Sequence, residues 1–168
     1  IAFRSHSYNF QSLNIIETNL SFKILDNLDD IFSFNATEIQ NDFKHLNSKD
    51  ESIWQGNCKD LEEIKKKNVQ FGNNPIYIEK GAKVNYSIFN TTDGPIFIGK
   101  DSEIMEGSII RGPFAMLNNS VLKVGSKIYG GTTLGPFCKA GGEISNSVFF
   151  GFSSKAHDGY LGNSVIGE

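Results

Sequence analysis

The chain has 168 residues, 39% of them hydrophobic and 21% charged, with a formal net charge of −3. That length and balance suit one globular domain plus part of another, and they speak against a nucleic-acid partner or an anionic membrane surface. The longest apolar clusters, such as Val148 to Phe150, are far too short to cross a membrane.

The first residue is Ile1, and no charged-then-apolar leader follows it. The expectation is therefore a piece of a longer protein without a signal peptide, located in the cytoplasm. Residues 1–47 are expected to be the C-terminal end of a preceding domain plus a connecting helix. Loose alternation over residues 15–25 predicts a strand. Asn35-Ala36-Thr37-Glu38 has the form of a capping box, and Ile39, Phe43 and Leu46 follow on one face at helical spacing. The spacing predicts an amphipathic helix over residues 36–46, whose single apolar stripe needs a partner. Residues 48–75 are polar and read as a linker. Within it, residues 61–67 predict a short surface helix with its acids before its lysines, as the helix dipole prefers. Its Lys65-Lys66-Lys67 run reads as a solvated face before it reads as an anion site.

From Ile76 the composition changes, with frequent glycine and β-branched residues beside Gly, Ser and Asn. Ile76, Ile78, Val84 and Ile88 start an apolar ladder, and Asn90-Thr91-Thr92-Asp93-Gly94-Pro95 carries turn residues before regular winding begins. Then Ile98, Ile104, Ile110, Met116, Leu122, Ile128, Leu134 and Ala140 recur every six residues. Four places after most of them the side chain is small: Ser102, Ser108, Ser120, Ser126, Thr132 and Cys138, with Phe114 and Ile144 as exceptions. Neither a helix nor a flat strand has this period. A chain winding into a triangular prism does, with three hexads per coil. The fold class expected is mainly β: a left-handed parallel β-helix over residues 76–168, preceded by a short α/β remnant and the linker helix. The N-terminal segment is expected to cover one end. Cys138 fills a small-residue slot, and nothing favours a disulfide with Cys58.

The period breaks near Asn146, and the stretch from Phe149 to Tyr160 has no clear hexads before Leu161-Gly162 and Ile166-Gly167 resume them. Interruptions in repeats often house function. The one histidine of the prism region, His157, lies there beside Lys155, Asp158 and Tyr160. Histidine is the usual general base near neutral pH. A lysine suits an anionic group, and a tyrosine offers a stacking face and a hydroxyl. On composition alone a polar surface loop is the plainer reading.

Leu134-Gly135-Pro136-Phe137-Cys138-Lys139, followed by His157-Asp158-Gly159-Tyr160-Leu161-Gly162-Asn163-Ser164-Val165-Ile166-Gly167, resembles the C-terminal half of sugar-1-phosphate nucleotidyltransferases that carry a left-handed β-helix. That group includes the bifunctional N-acetylglucosamine-1-phosphate uridylyltransferase/glucosamine-1-phosphate acetyltransferase. The acetyltransferase motif of that enzyme, His-x-x-Tyr-x-Gly-x-x-x-Ile-Gly, is matched position for position by His157 to Gly167. Segments such as Gly94 to Lys100, Glu106 to Pro113 and Ser154 to Tyr160 are similar to a Bacteroidetes-like branch of sugar nucleotidyltransferases, as is Asp30 to Asn35. The likeness covers roughly residues 26–46 and 76–168.

The resemblance implies a transferase of nucleotide-sugar biosynthesis for the cell envelope. His157 would be the base that deprotonates a sugar amine, and Tyr160 would bind the sugar phosphate. Lys155, Lys139 and Arg111 are candidates to hold phosphate, Arg111 being equally readable as a solvated outer residue. It implies acetyl-CoA as acyl donor, and magnesium only in the nucleotidyltransferase domain expected before Ile1. Within the first 75 residues the glycines are Gly56 and Gly72, so no phosphate-cradling loop is present and this piece alone is expected to be inactive. A sugar phosphate and a nucleotide sugar are the implied small-molecule partners, with a homotrimer as the assembly. Nucleic acid, membrane and a bound metal are not expected. Two departures stand out: Lys155 precedes the histidine by two residues, not three, and Lys139-Ala140-Gly141-Gly142-Glu143 replaces an Arg-rich phosphate segment.

Two other readings compete. The β-helix could be a non-catalytic trimerisation or regulatory module. A metalloenzyme of the carbonic-anhydrase type uses a similar prism, but it needs several coil histidines where this chain offers His157.

Overall fold

The computed structural model describes residues 23–46 and 52–167. In chain order the elements are α1 (Asp29–Leu46), β1 (Trp54–Gly56), α2 (Leu61–Lys67) and β2 (Val69–Phe71). Next come β3 (Ile76–Ile78), β4 (Lys83–Val84), β5 (Ile88–Asn90), β6 (Ile96–Ile98), β7 (Glu103–Ile104) and β8 (Ile109–Arg111). They are followed by β9 (Phe114–Met116), β10 (Val121–Leu122), β11 (Lys127–Ile128), β12 (Thr132–Leu134) and β13 (Lys139–Ala140). Last are β14 (Glu143–Phe149), β15 (Ser154–Lys155) and β16 (Tyr160–Ile166).

Every strand pairing among the described residues is parallel, and the strands stack as a β-solenoid of about 6 turns, compatible with a left-handed β-helix. One face stacks β3, β6, β9, β12 and the second half of β14. A second stacks β4, β7, β10, β13 and β15, and a third stacks β2, β5, β8, β11 and the first half of β14. Both halves of β14 are followed by β16. Ile96 pairs with Phe114 and Phe114 with Thr132, each step being three hexads.

The hexads work as their period requires. All eight apolar positions from Ile98 to Ala140 are buried, as are Ser102, Ser108, Ser120, Ser126, Thr132 and Cys138. The exception Phe114 points inward, and its larger ring is accommodated because Thr132 and then Ser147 occupy the same column in the next coils. Near Asn146 the winding tightens: Thr133 pairs with Val148, three residues short of three hexads. Asn146 itself takes a left-handed conformation, φ 44°, one that asparagine tolerates better than most side chains. Cys58 and Cys138 are buried free thiols.

Two local expectations are corrected. The helix begins at Asp29, not Ala36, so Asn35 is interior and caps nothing. Upstream, the Asp30 carboxylate accepts from the backbone N–H groups of Asp26 and Asn27 at 2.8 and 2.9 Å. Asn35 is turned to the solenoid, donating to the Gly131 carbonyl at 2.7 Å and accepting from the Thr133 hydroxyl at 2.9 Å. The strand predicted over residues 15–25 lies mostly outside the described residues, and residues 23–25 are not strand.

Helix α1 packs along the outside of the first face, against β9, β12, β14 and β16. Ile39 is its buried residue, and Phe43 meets Phe97 edge-to-face at 6.5 Å. The solenoid end beside β3 is covered instead by β1 and α2. In the segment read from the sequence as a linker, Trp54, Cys58 and Ile64 join the core cluster, and Trp54 meets Phe89 edge-to-face at 5.7 Å. The helix over residues 61–67 forms where the spacing put it. Its Lys67 is ion-paired with Glu63 one turn earlier, a hydrogen bond that lowers the glutamate pKa and raises that of the lysine.

Candidate functional site

Part of the interruption forms a corner turn of the solenoid. Between the second and third faces, Leu122 and Lys127 are joined by an ordinary turn. One coil on, the turn shrinks to Gly141-Gly142, and in the next it returns to four residues, Ala156-His157-Asp158-Gly159, between β15 and β16. The four-residue turn lies against the shortened one. A Cβ at Gly142 (φ 77°) would stand 2.7 Å from both the Gly159 carbonyl oxygen and the Lys155 Nζ. Glycine at that position therefore lets the His157 turn sit close to the coil.

His157, Asp158 and Tyr160 are exposed at this corner. The His157 imidazole is exposed and has no hydrogen bond to another side chain among the described residues. Tyr160 begins β16 beside Glu143, and its phenol lies over Gly162, where any Cβ would collide with it. His157 lies in the turn and Tyr160 three residues on, at the start of β16, both exposed.

The three predicted cations part company. Lys139 is exposed on β13, paired in register with Ser154, one coil from the loop. Arg111 lies on β8 and contacts Asp93 at 3.3 Å. Three strand spacings separate β8 from β16, through β11 and β14, roughly 14 Å at ordinary strand spacing. Arg111 also ends its strand at the far corner of the third face, so it is not brought to His157. Lys155 occupies the inward register position of β15, opposite Ala140. Its ammonium donates to the carbonyls of Gly141, His157 and Gly159 at 2.7, 2.8 and 2.7 Å.

One cation at this corner was not singled out from the sequence. Lys123 follows Leu122 as Gly141 follows Ala140, and the Cβ of Lys123 would be 3.1 Å from a Cβ at Gly141. Like that of Lys139, its side-chain ammonium makes no hydrogen bond or ion pair among the described residues. The signal was present in the hexads: three hexads separate Lys123 from Gly141, so they share a corner.

A separate groove of about 440 Å³ runs between α1 and the first face, walled by Ile39, Phe43, Leu46, Phe97 and Leu117. It contains none of the predicted site residues. Among the described residues no three His, Cys, Asp or Glu side chains form a cluster able to hold a metal, and no helix is long and apolar enough to cross a membrane.

No protein-family model, no curated protein and no solved structure matches this chain.

Proposed function

We propose that the chain is the β-helical part of a sugar-1-phosphate nucleotidyltransferase, and that the corner around His157 is an acyl-CoA-dependent acyltransferase site for an amino-sugar phosphate. The observation that carries this reading is the placement of the His157-to-Gly167 motif. Its histidine is exposed in the turn between β15 and β16, and its tyrosine opens the following strand. The unpartnered ammoniums of Lys139 and Lys123 lie on the coils above, where a phosphate on the same sugar would meet them.

In this reading His157 takes up the proton that the sugar amine loses as it attacks. Tyr160 presents a ring face and hydroxyl to the sugar, and Gly162 keeps that ring flat on the strand. Lys139 and Lys123 offset the phosphate charge. Acetyl-CoA supplies the activated acyl carbonyl; its thiolate leaves as the amide forms. A cytoplasmic homotrimer and nucleotide-sugar synthesis by a preceding domain belong to the same proposal.

The test, made on the full-length parent protein, is thiol release from acetyl-CoA with glucosamine-1-phosphate and related amino-sugar phosphates. His157→Asn is expected to lower kcat/KM by about 10²–10⁴, the span of a lost general base. Release that is unchanged in the variant would remove His157 from the chemistry. The second reading is a non-catalytic β-helical module, favoured by the engagement of Arg111 with Asp93 and of Lys155 with backbone. It would be upheld by wild-type protein that releases no thiol with any of these acceptors.

A further inference from the structure

We propose that Lys155 is the anchor of the His157 turn: a half-buried positioning residue held by backbone carbonyls of the corner, not a ligand for the substrate phosphate. Its consequence for catalysis rests on the acyltransferase reading; its structural part does not.

Register carries the argument first. Along the second face the inward column runs Val84, Ile104, Leu122, Ala140 and Lys155. The first four are core residues, each at most 1% exposed. A lysine in that column starts by pointing into the prism, and the short side chain of Ala140 above it leaves room for its stem. Long lysine stems commonly lie along apolar surface with only the head turned to polar atoms.

Valence carries it second. An ammonium has three protons and no other bonding capacity. Here the three are met by three carbonyls, all at 2.7–2.8 Å, the short range of charge-assisted bonds. Gly141 belongs to the coil above, while His157 and Gly159 flank Asp158 in the turn between β15 and β16. The ammonium therefore ties the turn to the neighbouring coil on both sides of its tip. Gly142 keeps the approach open, since a Cβ there would meet the Nζ at 2.7 Å. To reach a phosphate outside the prism, Lys155 would have to give up all three bonds and release the turn that sets the His157 backbone.

Lysine reactivity separates the two roles in the wild-type protein. We would label the full chain with an N-hydroxysuccinimide acetate at limiting reagent and read each lysine by mass spectrometry. Lys155 is expected to react at least about tenfold more slowly than Lys139, because an amine engaged in three bonds must be freed before it attacks. Glucosamine-1-phosphate is expected to slow Lys139 and to leave Lys155 as it was. A Lys155 that reacts as fast as Lys139, or that the sugar phosphate protects, overturns the proposal. If the sugar phosphate slows neither and no acceptor is acetylated, the acyltransferase reading fails, while the ratio in free protein still decides whether Lys155 is held.

In the enzyme assay, Lys155→Met is expected to lower kcat and to leave KM for the sugar phosphate within about twofold; a phosphate ligand would chiefly raise KM. Lys155→Cys alkylated with 2-bromoethylamine restores an ammonium of the same reach. It should recover kcat, and both native cysteines are buried and so poorly placed to interfere. Failure of this rescue, with KM raised in Lys155→Met, would assign Lys155 to the substrate.

Discussion

At the scale of single residues, the small slots of the hexads do more than avoid a clash. Ser102 donates to the Leu117 carbonyl at 2.9 Å and accepts from the Ser120 N–H at 3.3 Å. Ser120 repeats the pattern one coil on, donating to Gly135 at 2.7 Å and accepting from the Cys138 N–H at 3.0 Å. A hydroxyl at this corner thus serves backbone groups that no strand pairing reaches. Thr132 is the counterexample: it is fully buried, and its hydroxyl oxygen has no partner among the described residues. Removing a satisfied buried hydroxyl costs about 1–3 kcal/mol, whereas replacing an unsatisfied one by a methyl is neutral or stabilising. Ser120→Ala is therefore expected to lower stability by about 2 kcal/mol and Thr132→Val to leave it unchanged or raise it by about 1 kcal/mol. Urea denaturation of the two variants checks this, and a loss in Thr132→Val comparable to that in Ser120→Ala would contradict it. The sequence made the smallness of these slots legible because size alone repeats every six residues. It did not reveal which hydroxyls are bonded, since that depends on the coil above.

Elements show a similar division. The apolar stripe of α1 was readable, and its partner is the outer side of the first face. The helix start was not, because two signals competed: Asn35 to Glu38 has the spacing of a cap, and Asp29 and Asp30 have the charge of a first turn. The Asp30 carboxylate won by reaching the free N–H groups of Asp26 and Asn27, and this released Asn35 to bond across to the solenoid. The hydrogen bonds of Lys155 to three backbone carbonyls were hidden for a related reason. Beside His157 in the sequence it looks like a surface cation, and only the register with Ala140 turns it inward. The role of Asn35 can be tested through its partner. A helix cap would be indifferent to Thr133, but a tertiary contact would not. Asn35→Ala is expected to cost about 1–3 kcal/mol, and a double-mutant cycle with Thr133→Val should return a coupling of at least about 0.5 kcal/mol. Additive losses would mean that the 2.9 Å contact contributes nothing and that Asn35 acts through its bond to the Gly131 carbonyl.

At the scale of the whole molecule, a thin core makes each coil depend on its neighbours, and the ends are where a solenoid is weakest. The N-terminal end is closed by β1 and α2, whose Trp54 and Ile64 are 7% and 5% exposed. Trp54 is the single tryptophan, so its fluorescence reports this cover, while far-UV circular dichroism reports mainly the coils. Two truncations of buried side chains then probe how far stability propagates. Ile64→Ala weakens the cover and Leu122→Ala a middle coil, each by about 2–5 kcal/mol as buried Leu or Ile truncations do. If stability is a sum over neighbouring coils, Ile64→Ala should lower the midpoint seen by Trp54 more than the midpoint seen by circular dichroism. Leu122→Ala should lower both, because losing a middle coil uncouples what lies on either side of it. Equal shifts of both probes in both variants would mean that cover and coils unfold as one unit, and the neighbour-by-neighbour picture would fail at this length.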